Sequence, residues 1–191
     1  GYKMKFLQTE RLILRGWEYE DLEDLYEFAK DPRVWQLPGW EPHENKEVSF
    51  RALRYYIEND DRWAIVLKET EKVIGSLKIW PDGDHRKSNA KTISFVLSAD
   101  YRGRGYMTEA VKRVIKYVFE EMNIEMLSVY HFPYNASAKR ILEKCGFQPE
   151  ATGGQKNESY DGQVLDTVCY SILKADYFSC LPCEDAGSSE K

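Results

Sequence analysis

Long apolar runs are missing from this chain. No stretch approaches the roughly 18 residues of a membrane-spanning helix, and the mean hydropathy is −0.60. The opening GYKMKFLQTERL has no apolar block of the kind a secretory signal carries, so a cytoplasmic protein with no membrane partner is expected. Histidine is scarce, at 3, and there are only 4 cysteines. Cys145 falls in a helical pattern and Cys169 in a strand pattern, both places for a small buried apolar side chain. Cys180 and Cys183 form a Cys-Leu-Pro-Cys pair without a second ligand pair or a thioredoxin-like setting, so no metal or redox centre is expected. Basic residues are outnumbered, with 27 Lys and Arg against 32 Asp and Glu and a net charge of −5. That balance counts against nucleic-acid binding by phosphate neutralisation, which needs a basic face. It leaves room for a small anion held by local charge.

What is present is an ordinary globular composition, 42% hydrophobic and 31% charged over 191 residues. It suits one domain with a real core. Leu12 to Arg15 reads as a strand. In GWEYEDLEDLYEFAKDP, Leu22, Leu25, Phe28 and Ala29 follow helical spacing, acids crowd the start and Pro32 ends it. A loop with Trp35, Trp40 and Pro42 precedes a second helix over Val48 to Ile57. RWAIVLKE (62–69) and VIGSLKIW (73–80) form a hairpin, and a loop, PDGDHRKSNA, leads to a third long strand from Lys91. Beyond a long helix come a strand at MLSVYHF (126–132), a helix at ASAKRILEKC (136–145) with Gly146 as its C′ residue, and two strands around Asp161-Gly162. With no repeat and no interior linker, this is a single mixed α/β domain over 1–178, followed by a polar tail over 179–191.

The stretch from Lys91 to Met122 carries the chemistry: KTISFVL, SADYRGRGYMTE, AVKRVIKYVFEEM. A strand runs into a glycine-bearing turn and then into an amphipathic helix. The amides of Gly103 through Thr108 have no ladder to join and sit at the positive end of a helix dipole, which makes an anion site. Gly103 and Gly105 permit close approach of a ligand to the main chain. Arg102 and Arg104 supply charge and donors suited to phosphate oxygens. A tight turn with solvated arginines satisfies the same letters. No Gly-Lys-Ser/Thr follows, which counts against a nucleotide hydrolase of the P-loop kind.

Two further segments decide the reading. TERLILR opens the domain, and NASAKRILEKCGF follows the fifth strand. Together with VIGSLKI and YRGRGYMTEAV, they resemble the GNAT superfamily of acetyl-CoA-dependent N-acetyltransferases, and most of all its Rim-type subgroup, named for acetylating ribosomal-protein N-termini. The resemblance spans about residues 6–178 and implies a mixed sheet of about seven strands with helices on both faces. It implies that the fourth and fifth strands splay apart. Acetyl-CoA would be the co-substrate, with its pantetheine arm on Phe95, Val96 and Leu97. The pyrophosphate would rest on the amides of Arg102, Gly103, Arg104, Gly105, Tyr106 and Met107, with Thr108 as a hydroxyl donor. Asn135 would bond the arm, or else cap the next helix. Lys139 or Arg140 would reach the nucleotide phosphates. The acceptor would be a primary amine, on a protein N-terminus or a small molecule. A monomer or a homodimer fits.

The pattern departs from the family at three places. Met107 stands where the turn ends in Gly or Ala, and only its amide is required. Thr92 stands where many Rim-type strands carry Glu. Ala138 stands where the family often has the serine that protonates the departing thiolate, with Ser137 one step, about 100 degrees, earlier on the helix. Tyr134, Tyr130 or a water are the other candidates for that role. For the general base the resemblance offers Glu158, three residues before Asp161-Gly162, and then His131 at the end of the fifth strand. Glu18 and His43 lie on segments that would line the acceptor side. The alternative function is a non-catalytic acyl-CoA-binding module on the same scaffold.

Overall fold

The computed structural model describes residues 4–34, 41–82, 89–133, 135–150, 156–158 and 164–180, with the backbone alone at 156–158, 164 and 165. The run Arg62–Leu67 shows how the molecule is layered: all six residues are buried, so this strand is covered on both faces. Its odd-numbered residues Trp63, Ile65 and Leu67 enter one core, and Ala64 and Val66 enter the other.

Ten strands and four α-helices follow one another along the chain among the described residues. They are β1 (Leu7–Gln8), β2 (Leu12–Arg15), α1 (Leu22–Ala29), α2 (Lys46–Asn59), β3 (Arg62–Leu67), β4 (Val73–Pro81), β5 (Ala90–Leu97), α3 (Tyr106–Glu120), β6 (Met126–His131), α4 (Ala136–Lys144), β7 (Gln148–Pro149), β8 (Lys156–Glu158), β9 (Val164–Asp166) and β10 (Val168–Leu173). Eight strands form the main sheet in the order β1-β2-β3-β4-β5-β6-β10-β7, and β8 with β9 make a separate two-stranded ladder. Among the described strands only β5 and β6 run parallel. The expected count of about seven is exceeded by β1 and β7, two residues each, too short to show alternation in sequence. The expected final hairpin is found as β8 paired with β9, and after Thr167 the chain continues as β10, which pairs with β6 in the main sheet.

The helix α3 places Met107, Ala110, Val111, Val114, Ile115, Val118 and Phe119 inside, at the three-four spacing of one face. They pack on the sheet face that carries Leu14, Ile65, Leu77, Ile93, Leu127 and Tyr170. Leu25, Phe28 and Leu53 from α1 and α2 cover the opposite face over Ala64, Val66 and Val96. The helix α2 begins at an Asn45 cap, whose side chain accepts from Val48 N, and ends with Asp60 in the left-handed region. Residues 174–180 form a further helical segment. No helix among the described residues is long and apolar enough to cross a membrane.

Candidate active site

β5 and β6 share three rungs, Ala90 with Met126, Lys91 with Leu127 and Thr92 with Ser128. Above Thr92 the two strands part, although β5 continues to Leu97 and β6 to His131. Alternation decides which groups face the gap. Ser98 N bonds Ile74 O and Asp82 N bonds Ala90 O, so the even-numbered residues Thr92, Ser94 and Val96 direct their peptide groups to β4. Ile93, Phe95 and Leu97 turn theirs to the open edge. Phe95 and Leu97 therefore offer main-chain groups to a ligand, whereas those of Val96 face Ser76.

At the top of β5 the chain makes a 3-10 turn over Ala99–Tyr101 and enters α3 through Gly103 and Gly105, with φ of +80° and +79°. A side chain is disfavoured in that region, so glycine is needed at both positions. Arg102 N is held by Ala99 O at 3.3 Å, whereas the N–H groups of Gly103 through Thr108 bond no acceptor among the described residues. They form the orphan set of a helix N-terminus. Met107 buries its side chain in the core and leaves its amide at the turn.

The turn is braced from the far end of the domain. Arg11, just ahead of β2, donates Nη1 to Arg104 O and Nε to Glu109 Oε1, both at 2.9 Å. Its own amide reaches Glu109 Oε2 at 3.0 Å, and Thr9 Oγ1 donates to the same oxygen. The guanidinium also lies 4.3 Å from the Tyr106 ring centre. Burial alone would raise the Glu109 carboxyl pKa, but the Thr9 and Arg11 hydrogen bonds hold it below the usual range. Sequence reasoning did not find this brace, because its partners are 98 residues apart.

A cleft of about 220 Å³ runs from the gap to the turn, lined by Phe95 to Leu97, Arg102, Gly103 and Gly105 to Thr108 on one side. The other wall is α4, with Asn135, Ser137, Ala138, Arg140, Ile141 and Lys144. Ser137, Arg140, Ile141 and Lys144 fall at i, i+3, i+4 and i+7, one helix face. Of the two cations considered on α4, Arg140 lines the cleft, while Lys139 lies 4.0 Å from Glu143 on the outside. Lys144 adds a cation that this spacing could have revealed. Arg102 lines the cleft with one Nη2–H on Arg33 O at 2.7 Å. Arg104 turns away toward Tyr101, 5.7 Å from its ring centre. Asn135 caps α4, its Oδ1 accepting from Ala138 N at 3.1 Å, and the residue borders the cleft.

The chain matches the acetyltransferase (GNAT) domain family over residues 11–148. It belongs to the GNAT family. It is 29% identical over 181 residues, 91% of this chain and 99% of the other, to the uncharacterized N-acetyltransferase p20 of Bacillus licheniformis. It is 25% identical over 168 residues, 87% and 88% of the two chains, to spermidine N(1)-acetyltransferase of Escherichia coli K12. Among solved structures, the ribosomal L7/L12 α-N-protein acetyltransferase RimL, in complex with coenzyme A, superposes with a TM-score of 0.73 at 16% identity, covering 88% of this chain and 98% of that one. The protein is thus an N-acetyltransferase with the mixed GNAT sheet, and neighbours of the Rim type share its fold.

Around this GNAT cleft the proposed acid and bases separate. Ser137 and Ala138 both border it, so the one-residue offset does not turn Ser137 away. His131 is 2% exposed and does not line the cleft. Its ring packs on Tyr170 at 5.2 Å, Nδ1 meets Phe132 O at 2.8 Å, and Nε2 is buried without a partner among the described residues. Burial lowers its pKa. Glu158 contributes backbone to β8 opposite Val164, and its side chain lies outside the described residues. So do Trp35, Trp40, Tyr134 and Asp161-Gly162. His43 is bound into the fold, Nδ1 to Ser49 Oγ at 2.7 Å and N to Ala29 O at 2.9 Å. Glu18 lies 3.9 Å from Arg15 at the surface.

Proposed function

We propose that this protein transfers an acetyl group from acetyl-CoA to a primary amine, on a protein N-terminus or a small molecule. The observation that carries the reading is the joint opening of β5 from β6 and the unsatisfied row of amides at Gly103 to Thr108. Unpaired peptide groups along the buried or half-buried edge of Phe95 and Leu97 are costly, the amides of the more exposed turn form an anion site, and a diphosphate-bearing, amide-containing arm satisfies both sets at once. The residues present fit coenzyme A: Phe95 and Leu97 would pair its arm, Arg102, Arg140 and Lys144 would neutralise phosphates, and the turn amides would hold the diphosphate. Bound there, acetyl-CoA supplies a thioester whose carbonyl carbon an amine can attack. The chain contributes position, main-chain donors and proton handling. Ser137, which borders the cleft, is taken as the hydroxyl that gives a proton to the leaving sulfur, and Glu158 as the base from the hairpin. The spermidine and ribosomal-protein enzymes among its likenesses support cationic small amines and protein N-termini as the two acceptor classes to try first.

The test is thermal stabilisation by millimolar acetyl-CoA or CoA, followed by thiol release with peptides of different N-termini, polyamines, aminoglycosides and amino acids. Stabilisation with turnover of at least one amine is expected, and Arg102→Glu should abolish the stabilisation. A protein indifferent to both forms of the cofactor refutes the reading.

A further inference from the structure

At its closed end the gap between β5 and β6 is shut by side chains as well as by backbone. Thr92 and Ser128 form the last rung, with their hydroxyl oxygens 3.0 Å apart. Ser128 Oγ donates to Asp82 Oδ2 at 2.5 Å, and Asp82 is itself fixed by its amide on Ala90 O at 3.0 Å. The three are 2%, 0% and 5% exposed for Thr92, Ser128 and Asp82. Proton accounting gives this chain of groups a direction. An ionised carboxylate only accepts, so Ser128 gives it the one hydroxyl proton it has and leaves its oxygen to accept from Thr92. Thr92 Oγ1 has then committed its proton and keeps acceptor capacity.

Thr92 and Ser94 project from the same face of β5, the face away from α3 and α4. Alternate residues lie about 6.6 Å apart along a strand, so Ser94 is the next group on this face toward the open end. Ser94 is half-buried there, with Tyr130 flanking from β6. Thr92 occupies the place where the resembling strands carry Glu. Here a carboxylate arrives instead from the end of β4, two hydroxyls away.

We propose that Thr92, Ser128 and Asp82 form a relay that takes the proton from the acceptor amine. The proposal rests on the acetyltransferase reading above and puts this relay, in place of Glu158, as the base. As the amine nitrogen bonds to the acyl carbon, its N–H proton passes to Thr92 Oγ1, the Thr92 proton to Ser128 Oγ and the Ser128 proton to Asp82. The C–S bond breaks with its electron pair going to sulfur. Asp82 finishes neutral and later returns its proton to solvent, and the sulfur is protonated separately. Other titratable groups on this face, among the described residues, include Lys78, opposite Ser94 on β4, Arg62, opposite Lys78 on β3, Tyr130 on β6, Cys169 on β10 and Glu150 beyond β7. Lys78 lies 3.9 Å from Asp61. Cys169, pushed up to about 12 mainly by burial, stays a thiol.

The experiment compares wild type with Asp82→Asn, Ser128→Ala, Thr92→Val and Thr92→Ser. CoA affinity is measured by calorimetry, and thiol release from acetyl-CoA is followed from about pH 6 to about pH 10 with the best amine of the panel above. CoA affinity should change less than about twofold, while kcat/KM at neutral pH falls by about 100-fold in Asp82→Asn, Ser128→Ala and Thr92→Val. Thr92→Ser should recover most of the rate. The acid-side inflection of the wild-type profile should vanish in Asp82→Asn. In carboxyl-labelled wild type, the Asp82 carbon should titrate at that same inflection, and Ser128→Ala should move the titration. Equal losses at every pH, or full rates in Ser128→Ala and Thr92→Val, overturn the relay. A wild type that neither binds CoA nor acetylates any amine removes the underlying function instead, and the relay with it.

Discussion

Replacing Arg11 by Ala should loosen the anion turn from a distance, and the size of the effect can be worked out. The side chain loses its ion pair with Glu109, its bond to Arg104 O and its stacking on Tyr106. Arg11 and Glu109 side chains are 40% and 21% exposed, so solvent screening holds the ion pair to about 0.5–1 kcal/mol. The carbonyl bond and the stack add roughly 0.5 kcal/mol each at an exposed site, giving a ceiling of about 2 kcal/mol. For a chain of this size that is a fall in Tm of about 4–8 °C. If about half of the loss is felt as disorder of the turn, CoA should bind about fivefold more weakly. Calorimetric titration with CoA and thermal unfolding of Arg11→Ala, Glu109→Gln and the double variant measure both, and the double variant should lose less than the sum of the singles. Unchanged CoA affinity in Arg11→Ala, with Tm lowered as expected, would show that the turn holds its own shape, and the bracing argument would be wrong.

Acid should act through the same contact. Glu109 titrates below its usual range when folded, so its contribution is present above the unfolded value and is lost as pH falls through the folded one. CoA affinity should therefore decline below about pH 4 in wild type and decline less in Glu109→Gln. Gly75→Ala would place a Cβ 2.4 Å from Val96 O, forcing β4 and β5 apart at a cost of about 1–3 kcal/mol measurable by urea unfolding. Arg140→Ala with Lys144→Ala should weaken CoA by about tenfold while leaving Tm nearly unchanged, since both reach solvent at the cleft. Ser137→Ala should lower kcat with CoA affinity intact, and a full rate in that variant would remove Ser137 as the acid.

The sequence disclosed what is local. The strand, turn and helix from Ala90 to Glu120 lie where glycine placement and the three-four apolar spacing put them. Asn135 and Gly146 mark the two ends of α4 as cap chemistry demands. What depends on chain-distant pairing was not visible. Arg11 reads as one more charge in TERLILR until the fold brings Glu109 beneath it. Asp82 sits in PDGDHRKSNA, a string that reads as polar loop. It is buried only because β4 runs through Pro81 and remains paired with β5 at Lys91. β1 and β7 gain their identity from neighbours rather than from their own two residues. The setting of a candidate base was not legible either, since the pKa of a histidine in solution says nothing of a ring such as His131, which packs against Tyr170.

The brevity of the β5–β6 seam has a mechanical consequence. With only three rungs joining them, the five strands from β1 to β5 and the three-strand leaf of β6, β10 and β7 meet like the pages of a half-open book, bound at the spine near Thr92. α3 and α4 face each other across the fore-edge, and Cys145 Sγ reaches Thr108 O at 3.7 Å. A molecule lying between the pages completes the stitching that the chain leaves unfinished. Occupancy of this gap is then felt as rigidity of the whole sheet, and amide exchange along Phe95, Leu97 and the facing edge of β6 is where that change would be read.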